Sequence, residues 1–437
     1  MSISEIYNIF LKHPVISTDS RNCPADCFFV ALKGENFNAN AFALSALENG
    51  AAYAVVDEAQ YAVDERFILV ENTLQTLQQL ANYHRRQLGT TVIGITGTNG
   101  KTTSKELIAA VLSQKFNVLF TQGNLNNHIG VPLTLLKMTT KHEIAVIEMG
   151  ASHKGDIQEL AEIACPDYGI ITNVGKAHLE GFGSFEGVME TKSELYVNVF
   201  QNGKKIFINM GNDHLIKMAQ KSGFVNDDRL VKYKLIGECK KDMVAGAVIS
   251  CSPFLKMRCC TYTEKCFIVD TQLIGSYNAE NILAAVTIGH FFGIDDVKIK
   301  NGLEQYTPQN NRSQLTVTER NKLVVDAYNA NPTSMRAAIQ NFGIMEVDTK
   351  MLILGDMLEL GEQSGTEHQS IVDLLESYNL NNVFLVGDLF SATKNNFTCF
   401  ISVDDLIEFI KNQDIKNNYI LIKGSRGIKL EKVIPIL

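Results

Sequence analysis

"TVIGITGTNGKTTSKELIAAVL", residues 91–112, is the stretch that decides the fold of this chain. Val92 to Thr96 form an apolar run of strand length, and Leu107, Ile108, Val111 and Leu112 recur at helical spacing behind a glycine-bearing turn. Such a strand-to-helix turn holds phosphate when backbone N–H groups converge on the anion, a helix N-terminus adds its positive end and a lysine neutralises charge. Gly97, Gly100 and Lys101 supply those parts, and Thr102 places a hydroxyl where it can ligate Mg²⁺. The usual loop reads G-x-x-x-x-G-K-S/T, with a glycine where this chain has Ile95. A plain glycine turn has no use for Gly-Lys-Thr-Thr in this context.

Working outward, strand-length apolar runs alternate with helical segments, as parallel sheets flanked by helices require. Val92 to Thr96, Ile144 to Glu148 and Gly169 to Thr172 each precede a polar or glycine-bearing loop, so ligand chemistry belongs at their carboxyl ends. A second series, "KLVVDAYNANP", "MLILGDMLELG", "VFLVGDLF" and "YILIKGSRG", repeats the grammar from residue 322 with different loops. Earlier, "CFFVALKG" and "AAYAVVDE" suggest a smaller α/β unit. The expected architecture is α/β in three domains: a small N-terminal α/β domain (1–86), a central P-loop parallel-sheet domain (87–308) and a C-terminal Rossmann-like domain (309–437).

At 437 residues, 45% hydrophobic and 20% charged, the chain has ample material for buried cores and no signature of disorder. No basic leader precedes an apolar core and no run is long enough to span a bilayer, so a soluble cytoplasmic protein with no membrane span is expected. The formal charge of −8 argues against a nonspecific nucleic-acid surface but leaves room for an anionic small ligand in a locally basic pocket. Nine cysteines include the group Cys251, Cys259, Cys260 and Cys266, whose spacing fits no common zinc pattern; buried or free thiols are the expectation.

Two strand ends add chemistry. "IAVIEMGASHKGDI" ends its strand at Glu148, and "GIITNVGKAHLEGFGS" carries Asn173 and His178 just past its own. Beside the P-loop strand, both would flank the phosphates, where a carboxylate and an imidazole can hold divalent ions. In "FEGVMETKSELYVNVF" (185–200), Val188, Lys192, Leu195 or Tyr196, and Val199 share one helical face. Lys192 thus interrupts an apolar stripe, so it snorkels, pairs with an acid, or is chemically altered; a carbamate would convert it into a carboxylate ligand.

The motifs "TGTNGKTT", "NLNNHIGVPLT" (124–134), "IEMGA", "TNVGKAHLEGFGS", "TKSEL", "GSYNAENILAA" (275–285), "DAYNANPTSM" (326–335), "LGDMLELG" (354–361) and "KGSRG" (423–427) together resemble the Mur ligase family, in order and over nearly the whole chain. The last three resemble the branch that joins D-alanyl-D-alanine to UDP-N-acetylmuramoyl-tripeptide. In that family the shortened glycine loop is normal.

The resemblance implies ATP as co-substrate, two Mg²⁺ ions, an acyl-phosphate intermediate and a monomer. Gly97, Thr98, Asn99, Gly100, Lys101, Thr102 and Thr103 would cradle the phosphates. Thr102 and Glu148 would serve one Mg²⁺ and His178 a second, with Lys192 carbamylated. Asn278 and Asn281 match positions near the adenine, Arg312 a phosphate contact and Asp326 a nucleotide contact from the closing domain; Asn329 and Asn331 fall to the substrate. Lys423, Ser425 and Arg426 match a C-terminal motif. Ser17, Asp19, Ser20 and Arg21 match the nucleotide-sugar region, although Cys27 stands where relatives have glycine and "NFNANAF" replaces D-G-H-x-F. Two other memberships are open: the ligase adding the third amino acid, whose D-N-P-R motif is absent, and folylpolyglutamate synthetase. A regulatory P-loop NTPase is the reading from another class; it leaves Lys192 and the C-terminal domain without a role.

Overall fold

The computed structural model describes every residue except 226–227, 263–264, 309–311 and 348. A nine-stranded sheet forms the middle of the molecule, in the order Cys266–Ile274, Phe254–Cys260, Val244–Cys251, Leu230–Leu235, Lys205–Asn209, Tyr168–Ile171, Thr91–Thr96, Ile144–Glu148 and Val118–Phe120. The P-loop strand Thr91–Thr96 lies between two parallel neighbours that come later in the chain, with Ile95 opposite Glu148 and Thr96 opposite Ile171. Chain order reverses there, and in open α/β sheets ligands bind outside the carboxyl ends of the strands at such a point. Both strand-end expectations hold: Glu148 ends one neighbour, and Asn173 and His178 follow the other.

Sixteen residues of helix, Thr73–Leu88, connect the N-terminal unit to this sheet. The boundary expected at 86/87 falls in that helix's last turn, which ends where Gly89 adopts φ 64. Arg85 fixes the helix to the central unit: it ion-pairs with Asp167 at 2.8 Å and donates to the carbonyls of Ala164 and Cys165. One continuous core joins Ile6, Phe10, Leu77 and Leu80 to Val131, Leu135 and Leu160. The N-terminal sheet itself is parallel and four-stranded, ordered Ile16–Ser17, Phe28–Val30, Tyr53–Val56 and Phe67–Leu69.

The C-terminal sheet has six strands, ordered Gln314–Val317, Lys322–Asp326, Tyr419–Lys423, Lys350–Gly355, Val383–Val386 and Thr398–Phe400. All pairings but the first are parallel, and apolar clusters cover both faces, so its strands read as continuous hydrophobic runs. The boundary expected at 308/309 adjoins residues 309–311, outside the described residues. Among the described residues no helix is long and apolar enough to cross a membrane.

The cysteines depart from expectation. Cys260 and Cys266 face each other across the hairpin at the far edge of the central sheet, with Cα atoms 4.1 Å apart, and are disulfide-bonded. Cys259, the next residue along the strand, points to the opposite face and is buried. Spacing in sequence does not reveal a pairing that strand register creates.

Candidate active site

The glycine loop is held in shape by the neighbouring strand before any ligand arrives. Asn173 accepts from Asn99 N–H at 2.9 Å through its side chain and from Thr98 N–H at 3.0 Å through its carbonyl, while the Thr172 hydroxyl donates to the Asn99 carbonyl at 2.7 Å. Gly97 (φ 146) and Gly100 (φ 75) occupy backbone conformations that L side chains resist. A Cβ on Gly97 would strike the Thr172 hydroxyl, and one on Gly100 would stand 2.7 Å from Asn281 Oδ1. Helix Lys101–Leu112 begins directly behind, aiming its unpaired N–H groups at the loop.

Lys101 folds over this loop, its ammonium donating to the carbonyls of Gly97 at 2.8 Å and Thr98 at 3.1 Å; burial pushes its pKa down. The Thr102 hydroxyl donates to Glu148 at 2.9 Å, and Asn126 Nδ2 donates to the other Glu148 oxygen at 2.8 Å. Glu148 is only 1% exposed. The Lys105 ammonium, fully buried and without a hydrogen bond, lies 3.6 Å from Glu148 and 3.6 Å from Glu106.

Lys192 interrupts the apolar stripe as its spacing indicates. It is 3% exposed, its ammonium lies 5.7 Å from the Phe182 ring centre, and no hydrogen bond or ion pair reaches it among the described residues. Burial, reinforced by the Lys101 charge, pushes its pKa down to about 7. Snorkelling and acid pairing, two of the three open readings, are therefore not what the structure shows.

A cleft of about 1370 Å³ opens above these groups, lined by residues 98–103, Glu148, Asn173 and His178 from the central unit and by Arg312, Asp326, Asn329 and Asn331 from the C-terminal one. The two sides touch. Asn331 caps helix Pro332–Ile344, accepting from Ser334 N–H, while its Nδ2 donates to Asn99 Oδ1 at 2.7 Å. His178 takes a left-handed backbone (φ 49) and sets Nδ1 2.5 Å from Glu359, whose pKa the imidazole contact lowers. Asp326 forms a 2.6 Å ion pair with Lys423, which also donates to the Asn329 carbonyl. The Arg312 guanidinium stacks 3.9 Å over the Tyr328 ring, which Arg426 also approaches. The Ser425 hydroxyl accepts from Leu358 N–H.

Asn278 and Asn281 line the cleft but are internally bonded: Asn281 accepts from Ser104 and donates to Asn278, both at 2.9 Å. Ser17, Asp19, Ser20 and Arg21 do not line it. They form a self-satisfied turn in which Ser17 donates to the carbonyls of Asp19 and Asn22, and Arg21 grips Asp19, holding its carboxyl down at about 2. Sequence reading gave no role to Asn126, Lys105 or Glu359. Asn126 lay within a motif already singled out, and Lys105 stands four residues after Lys101 on a helix buried on most of its faces. Glu359 meets His178 only through tertiary structure.

The donor set fits a nucleotide with a hard cation. Thr102 and Glu148 offer oxygen ligands, as Mg²⁺ prefers, and the glycine loop leaves backbone room for phosphate. A phosphate cradle at the sheet's switch point, an acid and hydroxyl beside it, and a second α/β unit across the cleft define a P-loop nucleotide-binding protein. Residues 95–289 match the Mur ligase middle domain, and residues 311–426 match the Mur ligase, glutamate ligase domain. UDP-N-acetylmuramoyl-tripeptide–D-alanyl-D-alanine ligase of Bacillus subtilis (strain 168) is 36% identical, covering 97% of this chain and 92% of the relative; the Escherichia coli (strain K12) enzyme of the same name is 34% identical over 97% and 93%. A crystal structure of MurF from Acinetobacter baumannii superposes with TM-score 0.85 at 31% identity, covering 96% of this chain and 92% of that one. MurF ligase from Thermotoga maritima in complex with ADP gives TM-score 0.84 at 26% identity, covering 98% and 97%. The chain belongs to the Mur ligase family and is an ATP-dependent ligase.

Proposed function

We propose that this chain joins D-alanyl-D-alanine to UDP-N-acetylmuramoyl-tripeptide in peptidoglycan precursor synthesis, releasing ADP and phosphate. The observation that carries the reading is the composition of one cleft. The phosphate loop and the C-terminal "YNANP" loop meet through Asn99 and Asn331, in a chain similar over nearly its full length to ligases of that name.

A carboxylate resists attack by an amine because its carbonyl is electron-rich and oxide leaves poorly. ATP with Mg²⁺ supplies a phosphoryl group whose transfer gives the tripeptide carboxylate a leaving group. Bringing two anions together is the difficulty, and the chain's own groups meet it. The loop N–H groups and Lys101 would offset phosphate charge, Thr102 and Glu148 would hold the cation, and the burial of Thr102 and Glu148 would strengthen those contacts. The amine of D-alanyl-D-alanine then attacks the carbonyl carbon, and phosphate departs with the former carboxylate oxygen. Water would hydrolyse the activated acid, so the contacts of Asn331 with Asn99 and Glu359 with His178 act as closure points that exclude it.

Lys192 is assigned the carbamate: its nitrogen adds to CO₂, one N–C bond forms, a proton leaves, and the product is an anion within electrostatic reach of Lys101. Its depressed pKa keeps uncharged amine available near neutrality, and the absence of an acid partner leaves that nitrogen unclaimed. His178 is assigned to the second Mg²⁺ through Nε2, with Glu359 on Nδ1 orienting the ring. Asn278 and Asn281 are assigned to the adenine edge of the cleft, Arg312 and Asp326 to the nucleotide, and Asn329 with Asn331 to the substrates. Ser17, Asp19, Ser20 and Arg21 are assigned to the uridine portion; the Arg21 side chain is 88% exposed and therefore accessible.

Phosphate release measured with each substrate omitted in turn tests the reaction. Turnover is expected only with ATP, the tripeptide nucleotide and D-alanyl-D-alanine together. Nucleotide hydrolysis at an equal rate without either peptide substrate would overturn the ligase reading in favour of a regulatory NTPase. Running lysine- and diaminopimelate-containing tripeptides side by side identifies the third residue.

A further inference from the structure

We propose that Cys239, Cys260 and Cys266, once reduced, form a three-thiolate site for a soft divalent metal ion. The three sulfurs lie within 4.8 Å of one another, and the Cys239 sulfur is 3.0 Å from that of Cys266. Three separate elements deliver them: the loop between strands Leu230–Leu235 and Val244–Cys251, and the two strands of the edge hairpin, where Cys260 and Cys266 are register partners. Thiolates bound to Zn²⁺ at about 2.3 Å stand roughly 3.8 Å apart in a tetrahedral shell, so on reduction the bonded Cys260 and Cys266 sulfurs would part and the Cys239 and Cys266 sulfurs, now 3.0 Å apart, would open by about an ångström. Soft sulfur donors in this number select zinc or cadmium over Mg²⁺, so the site does not compete for the catalytic ion.

Burial is graded across the trio. Cys260 is buried, Cys239 half-buried and Cys266 exposed, so a bound ion would have one side against the sheet and one open to a water ligand. Charge does not oppose it. Three thiolates and a divalent ion carry a net charge of −1, and Lys240, Lys241 and Lys265 flank the ligands in sequence against Glu238, Asp242 and Glu264. The Arg258 guanidinium adds a further positive group, donating to the Gly237 carbonyl two residues from Cys239. None of the three cysteines lines the catalytic cleft, and five strands separate the hairpin's outer strand from the P-loop strand.

The structure holds Cys260 and Cys266 as a disulfide, so the site opens by reduction. Two molecules of a thiol reductant give up two electrons and two protons, becoming a disulfide themselves; the Cys260–Cys266 sulfur–sulfur bond breaks and two thiols result. The metal ion then displaces one proton from each of three thiols.

The test uses the full-length chain, reduced with a dithiol and desalted anaerobically, titrated with Cd²⁺ while thiolate-to-cadmium charge-transfer absorption and proton release are followed. One equivalent of Cd²⁺ is expected, releasing about three protons, and Zn²⁺ should displace it. Loss of an outer-shell partner alone weakens metal sites by about 10–100-fold, so Cys239→Ser and Cys266→Ser should each weaken binding by about 100-fold or more. Cys399→Ser, in the C-terminal unit, should leave it unchanged, as should ligase turnover in Cys239→Ser. Two positions with conservative replacements guard against misfolding, which circular dichroism checks. No uptake by the reduced chain, uptake undiminished in both cluster variants, or equal loss in Cys399→Ser would each overturn the proposal.

Discussion

Replacing Lys105 and Glu148 singly and together separates what the buried acid does for the fold from what it does for the reaction. The Lys105 ammonium lies 3.6 Å from one oxygen each of Glu148 and Glu106, with no hydrogen bond to either. At an effective dielectric of about 20, each contact corresponds to roughly 332/(20 × 3.6), or about 4.6 kcal/mol, before desolvation is subtracted. Breaking a buried pair by removing one partner costs about 3–5 kcal/mol, because the other charge is stranded. Glu148→Gln leaves Lys105 its Glu106 contact and should fall near about 3 kcal/mol, whereas Lys105→Met forfeits both contacts and should approach about 5. The double variant strands neither member, so its loss should be smaller than the sum by about 3 kcal/mol. Urea unfolding followed by far-ultraviolet circular dichroism reads these differences. Activity divides the variants differently: Glu148→Gln and the double variant should lose about 10²–10³-fold in kcat, and Lys105→Met far less at saturating Mg²⁺. Losses that add to within about 0.5 kcal/mol would show that the two charges are not coupled and would refute the reasoning.

Three other substitutions probe separate parts of the account. Gly100→Ala places a methyl group 2.7 Å from Asn281 Oδ1 in a backbone of φ 75, so ATP binding by calorimetry should fall by at least about tenfold while the fold persists. Lys192→Ala should lose most activity and regain part of it with an added short carboxylic acid; unaltered turnover would exclude the carbamate. Arg85→Ala removes the pair with Asp167 and two carbonyl contacts between the N-terminal helix and the central unit, and should cost about 3 kcal/mol in unfolding free energy, with Lys204 at 3.3 Å still partnering Asp167.

Local pattern carried the parts of this molecule that depend on neighbours in sequence. The strand at Ile144–Glu148 appears at its expected limits because a continuous apolar run ending in one acid can be read directly, and the C-terminal strands follow the same grammar. Lys192 was legible for the same reason, a charge set against helical period. Partnerships across the fold were not. Glu359 finds His178, Asn331 finds Asn99 and Lys105 finds Glu148 only when separate elements pack, and the Cys260–Cys266 pairing follows from hairpin register. The N-terminal turn is a different case. Its polar residues read as a ligand site away from the phosphates; Ser17, Asp19 and Arg21 stand outside the cleft and bond chiefly to one another, so a ligand there would have to exchange those bonds for its own. A polar cluster in sequence does not reveal whether its groups are already satisfied.

The most direct test of carboxylate activation at the Thr102–Glu148 site follows oxygen from substrate to product. With the tripeptide's terminal carboxylate labelled with ¹⁸O, one labelled oxygen should appear in each phosphate released during ligation with D-alanyl-D-alanine, because the carboxylate oxygen leaves with phosphorus. Released phosphate free of label would contradict the account, since the peptide bond would then have formed without an acyl phosphate.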